Sequence, residues 1–513
     1  MVNYDAAPKS QKESLADADA DVGVTKGGFM QRAIRCARQR DFQLQLALLA
    51  FMLFWYSFLL WLSPIDPKRD LTFNSMLSHL LHGRFDVDPA IIGDEGFLRN
   101  GRVYSYFGIW CALLRFPLWL AGRMNIDMTI WSCLTAVCLA AMAKVRTVLL
   151  LRRHGAQDKT AKHAVNMMLA YIVLGGSEVG YLRASIYQEV VFWAIAFASF
   201  FVYFGIKGLV AQHFDIGTLS GMALCAGLAL LTRVSTAVGL YIAIELLILV
   251  LSWQATWKVT LEYCEDTWQR FWSFFRHRML IPIGILTVFV LVTSVINHFR
   301  WGNALSFADF HLQLETRIYT DRLPRLTKYG TFNLKRIPFS MMYYFVPAWA
   351  IRTGSGNFLF EKTQERLFDA VELPPSTFFL TDLLPLCFVM FLVVALRKRR
   401  PGVFLPTRQL ASIALGLSVP IFLLLEFTYL SYRYRMEFYP EIDFLAFLGL
   451  YMVLVDDKLR AMYERRRIWM EAALIVSVVA SFACLFLYLF APFGPAQDWV
   501  HRGVVFGGHF ILF

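Results

Sequence analysis

Apolar residues in this chain gather into runs of about twenty, separated by short polar connections rich in lysine and arginine. A helix rises about 1.5 Å per residue, so a run of that length crosses the ~30 Å hydrocarbon layer of a bilayer. The pattern predicts about eleven such helices, at 43–62, 127–151, 164–181, 189–207, 217–232, 236–252, 279–297, 377–396, 409–428, 438–455 and 468–491. The fold class that follows is an all-α polytopic membrane protein, with residues 43–513 as a single membrane domain. Residues 1–42 open on "MVNYDAAPKSQKESLADADADVGVTKGG", a polar stretch of mixed charge. It predicts a disordered tail rather than a secretory leader.

Two connections, about 63–126 and 298–376, are far longer than the rest. In the first, "DLTFNSMLSHLLHG" sets Leu71, Met76, Leu77, Leu80 and Leu81 at helical spacing ahead of Gly83. This predicts a membrane-surface helix over 70–82, with Asp70 as its N-cap and Gly83 as its stop. "YFGIWCALLRFPLWLAG" is apolar but interrupted by Arg115 and Pro117, which suits a juxtamembrane or re-entrant segment. The second connection is rich in aromatics, cations and amides. No fixed-period repeat and no separate soluble domain is visible.

Composition agrees with the pattern. The chain of 513 residues is 57% hydrophobic and 17% charged, with mean hydropathy +0.50, whereas soluble proteins carry about a quarter charged residues. A net charge of +12 would suggest nucleic acid for a soluble chain. Here the cations concentrate in "RRHGAQDKTAKH", "RKRRPG", "DDKLRAMYERRR" and "RFWSFFRHR", and the positive-inside rule accounts for them. No nucleic-acid partner is expected. The N-terminus and those connections are placed in the cytoplasm, and the two long connections outside. The eight cysteines are scattered without CxxC or zinc-type spacing, so no metal site is expected.

Candidate chemistry concentrates outside the membrane. Asp66, Asp70, Asp86, Asp88, Asp94 and Glu95 fall within thirty residues, followed by the Asn-Gly turn and aromatic strip "NGRVYSYFG". Outside loops and the wet face of a surface helix carry acids in any case. Their concentration beside Tyr104 and Tyr106 suits sugar recognition, in which rings stack on apolar sugar faces and carboxylates bind hydroxyls.

The order of first helix, acid, surface helix ending in Gly, then "NGRVYSYFGIWCALLRFPL" resembles the GT-C class of polytopic glycosyltransferases. The likeness is strongest to the aminoarabinose transferases of lipid A and the protein O-mannosyltransferases. "SIYQEVVFWAIAF", "GLALLTRVSTAVGLY", "NHFRWGNALSF" and "YRYRMEFYPEIDFLAFLGL" add further echoes. One departure stands out: the family's Asp-Glu pair appears here as "RDLTF", with Asp70 but no Glu beside it, which leaves open whether Asp66 or Asp70 is the counterpart of the catalytic acid. The resemblance implies a polyprenyl-phosphate sugar donor and a glycan, lipid or protein acceptor. It also implies inverting transfer at the outer face of the inner membrane. No cofactor is expected, and "DVD" alone is weak evidence for a divalent ion at Asp86, Asp88 or Glu95. Asp70 or Asp66 would be the general base. Arg233, Arg433, Arg435 and Arg183 would hold the donor phosphate, the 433/435 pair pointing the same way if the chain there is extended. Glu189 and Glu437 would orient the sugar or pair with these arginines. Asp86, Asp88, Glu95, Tyr104 and Tyr106 would bind sugar or acceptor.

Two other classes compete. A transporter or flippase would carry charges near the bilayer midplane, where Glu245 is about the only acid expected. An O-antigen ligase or polymerase would rely mainly on arginines in a late loop, whereas the acids here cluster in the first.

Overall fold

The computed structural model describes residues 39–61, 69–176, 179–260, 279–318, 322–345, 367–368, 370–371, 376–397 and 405–490. The chain divides into a small unit, 1–51, and a large one, 52–513; apart from the first part of the first helix, the features below lie in the large one.

The elements in chain order are α1 (Gln39–Trp61), α2 (Thr72–Leu81), α3 (Pro89–Ile92), β1 (Phe97–Arg99), β2 (Arg102–Tyr104), α4 (Trp110–Leu113), α5 (Phe116–Leu120), α6 (Thr129–His154), α7 (Lys159–Leu174), α8 (Ile186–Val210), α9 (Ile216–Leu230) and α10 (Val234–Thr260). Then come α11 (Leu280–Trp301), α12 (Glu315–Ile318), α13 (Arg322–Tyr329), α14 (Ile337–Phe345), α15 (Phe378–Thr381), α16 (Leu383–Arg397), α17 (Thr407–Glu426), α18 (Tyr439–Val455), α19 (Asp457–Arg465) and α20 (Arg467–Phe490).

Among the described residues, eight helices are long and apolar enough to cross a membrane: α1, α6, α8, α10, α11, α17, α18 with the turn before it, and α20. The three remaining expected runs are helical but shorter. α7 has 16 residues, and α9 and α16 have 15 each, about 23 Å of helix against ~30 Å of hydrocarbon.

The bundle packs α6 along α8, α10 along α17, α16 along α18, and α11 along α9. Small residues bring backbones together, as expected where lipid gives no hydrophobic drive. A Cβ at Gly416 of α17 would fall 2.3 Å from the backbone of Ala243 in α10. Glu245 is not the only acid within the helices. Asp443 of α18 pairs with Lys144 of α6 at 2.8 Å. Two such groups lie 299 residues apart in apolar runs, so their pairing is visible only once the helices pack. Glu245 itself is exposed on α10.

The first long connection folds largely as expected. α2 follows a 3-10 turn, Arg69–Leu71, and Gly83 takes a left-handed φ of +69° two residues after the helix. The capping expectation fails: Asp70 lies inside the 3-10 turn, and the N-cap is Leu71, with no side-chain hydrogen bond. Asn100 and Gly101 both have positive φ (50° and 74°), the turn that Asn-Gly favours in a two-residue hairpin. That turn pairs β1 antiparallel with β2, Phe97 opposite Tyr104. A bridge from Phe97 to Gln313, and Leu314 N–H donating to the Gly96 carbonyl at 2.9 Å, lock the hairpin onto the second long connection. The apolar return is broken at Arg115 into α4 and α5.

Candidate functional site

A cavity of about 640 Å³ opens where the two long connections meet the helix ends. Tyr241 of α10 donates to the Leu286 carbonyl of α11 at 3.1 Å, joining these helices at one level. Further along, both turn toward the cavity, presenting Val234 and Val238 on one side and Thr293, Ile296 and Asn297 on the other. Leu423 and Leu424 of α17 and Val190 of α8 complete an apolar wall. The first connection supplies Glu95, Tyr106 and Phe107, and the second supplies Phe307, Phe310, Gln313, Glu315, Arg322 and Phe332. The space is amphiphilic.

Four arginines line it: Arg233, Arg300, Arg322 and Arg433. Arg233 sits in the turn between α9 and α10; its Nε donates to Glu437 Oε1, and its guanidinium lies 5.2 Å from the Tyr434 ring centre. Arg433 lies over Tyr187 at 4.6 Å and Tyr434 at 5.3 Å. Arg300, in the last turn of α11, is 3% exposed. Its Nη1 donates to the Phe107 carbonyl at 2.8 Å, and its Nη2 lies 3.4 Å from Met76 Sδ. Its Nε has no partner, and among the described residues no carboxylate pairs with it.

Two carboxylates share the wall. Glu95 accepts from the Tyr187 hydroxyl. Glu315 pairs with Arg322 at 2.7 Å. Burial raises the Glu315 pKa, the Glu95 charge adds to the rise, and Arg322 opposes it. Burial also pushes the Tyr106 phenol well above its ordinary value. Glu95 and Tyr434 act in the same direction, while Arg433 and Arg233 oppose them.

The structure thus brings Arg233, Arg433, Glu95 and Tyr106 together in the cavity wall, with Glu437 buried behind Arg233. The other expected site residues lie elsewhere. Residues 432–438 form a 3-10 helix rather than an extended strand. At three residues per turn, Arg433 and Arg435 therefore diverge. Arg435 is fully buried, donating to the Ser376 carbonyl at 3.1 Å and Thr381 Oγ1 at 2.9 Å, with Asp382 Oδ2 at 3.3 Å. Glu189 forms a buried pair with Arg115 and accepts from Ser132 at 2.5 Å. Asp86 is taken up by Arg84 at 2.5 Å and His79 at 3.3 Å. Asp88 caps α3 through the Ala90 N–H at 2.9 Å. Tyr104 is buried in the hairpin near Trp301, and Arg183 is half-buried outside the cavity wall. Asp70 is 1% exposed and does not line the cavity; its carbonyl accepts from Thr129 Oγ1 at 3.4 Å. Asp66 lies outside the described residues.

Sequence reasoning missed Arg300, Glu315, Arg322, Tyr187 and Tyr434. "NHFRWGNALSF" contained the first, but an arginine in a last helical turn also reads as a helix-end cation. Glu315 and Arg322 lay in a stretch whose mixed polar composition marks no single residue.

These residues define a multi-span helical membrane protein with an amphiphilic cavity that combines arginines, glutamates and aromatic rings. No protein-family model and no curated protein matches the chain. Among solved structures it is similar to the oligosaccharyltransferase AglB of Archaeoglobus fulgidus, in complex with an inhibitory peptide and a dolichol-phosphate. There the identity is 12% and the TM-score 0.43, over 89% of this chain and 57% of that one. The A. fulgidus oligosaccharyltransferase tethered to an acceptor peptide gives 12% and 0.44, over 89% and 56%. The apo form gives 11% and 0.42, over 90% and 58%. The chain spans little more than half the length of these structures.

Proposed function

We propose that this chain is a membrane glycosyltransferase of GT-C type, moving a sugar from a polyprenyl-phosphate donor to an acceptor hydroxyl in the cavity. The observation that carries the reading is Arg300. A cation buried to 3% exposure, with Nε unpartnered and no carboxylate opposite it among the described residues, is unfavourable until an anion arrives. A phosphate that reaches it past Val234, Val238, Ile296 and Leu424 must tolerate an apolar path, and a lipid-linked phosphate does. Arg433 and Arg233 add positive charge on the same cavity, and Tyr106, Tyr187 and Phe310 offer faces for a sugar ring.

In this reading the acceptor oxygen attacks the anomeric carbon while a carboxylate takes its proton. The bond to phosphate breaks, and the arginines stabilise the extra charge on the departing lipid phosphate. Displacement of this kind inverts the anomeric centre. The acceptor is a glycan, lipid or protein. The cavity faces the outside of the inner membrane, and the N-terminus is cytoplasmic.

Titrating polyprenyl phosphate into the purified full chain tests the reading. Binding should be saturable and should weaken at least tenfold in Arg300→Met; unaltered binding there would sink it. Accessibility tests the topology: after removal of native cysteines, Arg102→Cys should label from outside and Lys159→Cys should not.

A further inference from the structure

We infer that Glu95 is the proton acceptor of the transfer, an assignment that rests on the glycosyl-transfer reading above. The sequence pattern points to Asp66 or Asp70. Asp70, however, is 1% exposed and absent from the cavity wall.

Three observations single out Glu95. First, the adjacent acids of "GDEG" part company. Asp94 pairs with Arg69 at 2.7 Å, whereas Glu95 turns into the cavity. Second, the two carboxylates of the wall differ in their partners. Glu315 is taken up by Arg322 at 2.7 Å. Glu95 has no cation in ion-pair contact among the described residues, and its hydrogen bond comes from the Tyr187 hydroxyl. A carboxylate held by one phenol keeps acceptor capacity for a substrate hydroxyl. Third, the same tyrosine orders both ends of the reaction. Its hydroxyl meets Glu95, and its ring face carries the Arg433 guanidinium at 4.6 Å. The proton acceptor and a cation for the leaving phosphate therefore stand about one side chain apart on the cavity wall, joined by Tyr187.

The backbone beside Glu95 is fixed independently of any ligand. The Gly96 carbonyl accepts from Leu314 N–H at 2.9 Å, and a Cβ at Gly96 would fall 2.3 Å from Val103. Pre-set placement of this kind is what a general base requires.

The step balances. The acceptor O–H bond breaks, its proton goes to a Glu95 oxygen, and its electron pair forms the new bond to the anomeric carbon. The bond from that carbon to the phosphate oxygen breaks, and its pair leaves with the polyprenyl phosphate. Tyr187 is a positioning residue that keeps the Glu95 carboxylate turned toward the sugar.

The test uses the full chain in lipid nanodiscs. Two readouts are followed: binding of polyprenyl phosphate, and single-turnover release of polyprenyl phosphate from a panel of glucosyl, mannosyl, galactosyl and arabinosyl phosphopolyprenols, with water and an excess of a simple alcohol supplying the acceptor hydroxyl. Glu95→Gln should bind polyprenyl phosphate like wild type and release it at least a hundredfold more slowly, the usual scale for a lost general base. Glu95→Asp should bind normally and be slowed about tenfold, which reads the same step should the Gln variant not accumulate. Tyr187→Phe should be slowed less than Glu95→Gln. Wild-type release by Glu95→Gln or Glu95→Asp overturns the assignment and leaves the glycosyltransferase reading standing. No release by wild type from any donor in the panel overturns both.

Discussion

Arg115 and Arg300 are both buried arginines near the first long connection, and they are treated in opposite ways. Arg115 has all three of its donor nitrogens taken. Nε meets Asn74 Oδ1 at 3.4 Å, Nη1 meets the Cys111 carbonyl at 3.0 Å and Glu189 Oε1, and Nη2 meets Glu189 Oε2 at 2.8 Å. Its charge is cancelled by a carboxylate as deeply buried as itself. Arg300 keeps one nitrogen without a partner among the described residues and faces a cavity. Burial alone does not mark a functional arginine; what separates the two is whether the fold has already used the donors. Arg115 fastens α2, through Asn74, to α8, while Arg300 is left for something that arrives.

The largest expected effect is on the saturated side. Arg115→Met strands the Glu189 carboxylate in an apolar interior and should lower stability by about 3–5 kcal/mol, read from the unfolding midpoint of the full chain in detergent. The double variant Arg115→Met with Glu189→Leu should recover most of that loss, because no uncompensated charge remains. A single variant as stable as wild type would mean that the pair is not the fastening described.

Arg300→Met should behave in the reverse manner. Stability should hold or rise, since an unmatched buried charge is replaced by a side chain of similar length. Polyprenyl phosphate affinity should drop about 10- to 100-fold, the scale of one or two lost hydrogen bonds to a charged group. A variant that lost stability and kept affinity would exchange the roles of the two arginines.

Arg233 lies between these extremes, with its charge opposed by Glu437 and its face open to the cavity. Glu437 is buried, and its Oε2 finds no partner among the described residues. Neutralising it by Glu437→Gln keeps a hydrogen-bond acceptor for Arg233 and releases positive charge into the cavity. Calorimetry should show polyprenyl phosphate binding tightened about threefold, roughly 0.6 kcal/mol. Weaker binding would show that Glu437 orients Arg233 rather than offsetting it.

The gradient also explains what the sequence could and could not tell. The membrane helices were legible because twenty apolar residues in a row have little other use, and the hairpin because Asn100-Gly101 chooses its own turn. The first long connection carries the candidate acids, and the second lines the cavity beside it. Individual site residues were harder, because their roles depend on which way neighbours face. Asp94 and Glu95 are adjacent and chemically alike, yet one ties to Arg69 and the other enters the cavity. Arg433 and Arg435 separate because their turn is a 3-10 helix, a geometry that "YRYRMEF" does not announce. For Glu189 the sequence leaves sugar and ion pair both open, because its actual partner Arg115, 74 residues away, carries no mark of the pairing.

The smallest effect concerns a pair at the water's edge. Arg84, with half of its side chain exposed, donates to Asp86 at 2.5 Å and 3.1 Å, and His79 lies 3.3 Å from the same carboxylate. Burial works to raise the Asp86 pKa, but the Arg84 hydrogen bond, the backbone N–H and the two neighbouring charges outweigh it and hold the group below 3.8. A folded-state value below the unfolded one stabilises fully above about pH 3.8 and is lost as pH falls through the lower folded value. Arg84→Gln removes the main lowering influence, so the stability lost as pH falls below about 3.8 should be smaller in the variant than in the wild type. At neutral pH the cost should be small, as it is for solvent-screened pairs at the surface. Hydrogen exchange of the α2–β1 segment, followed from pH 6 to pH 3, reads both quantities. Equal acid profiles in the two proteins would show that Asp86 owes its lowered value to the backbone rather than to Arg84. A neutral-pH loss as large as that of Arg115→Met would show that exposure does not grade these arginines at all.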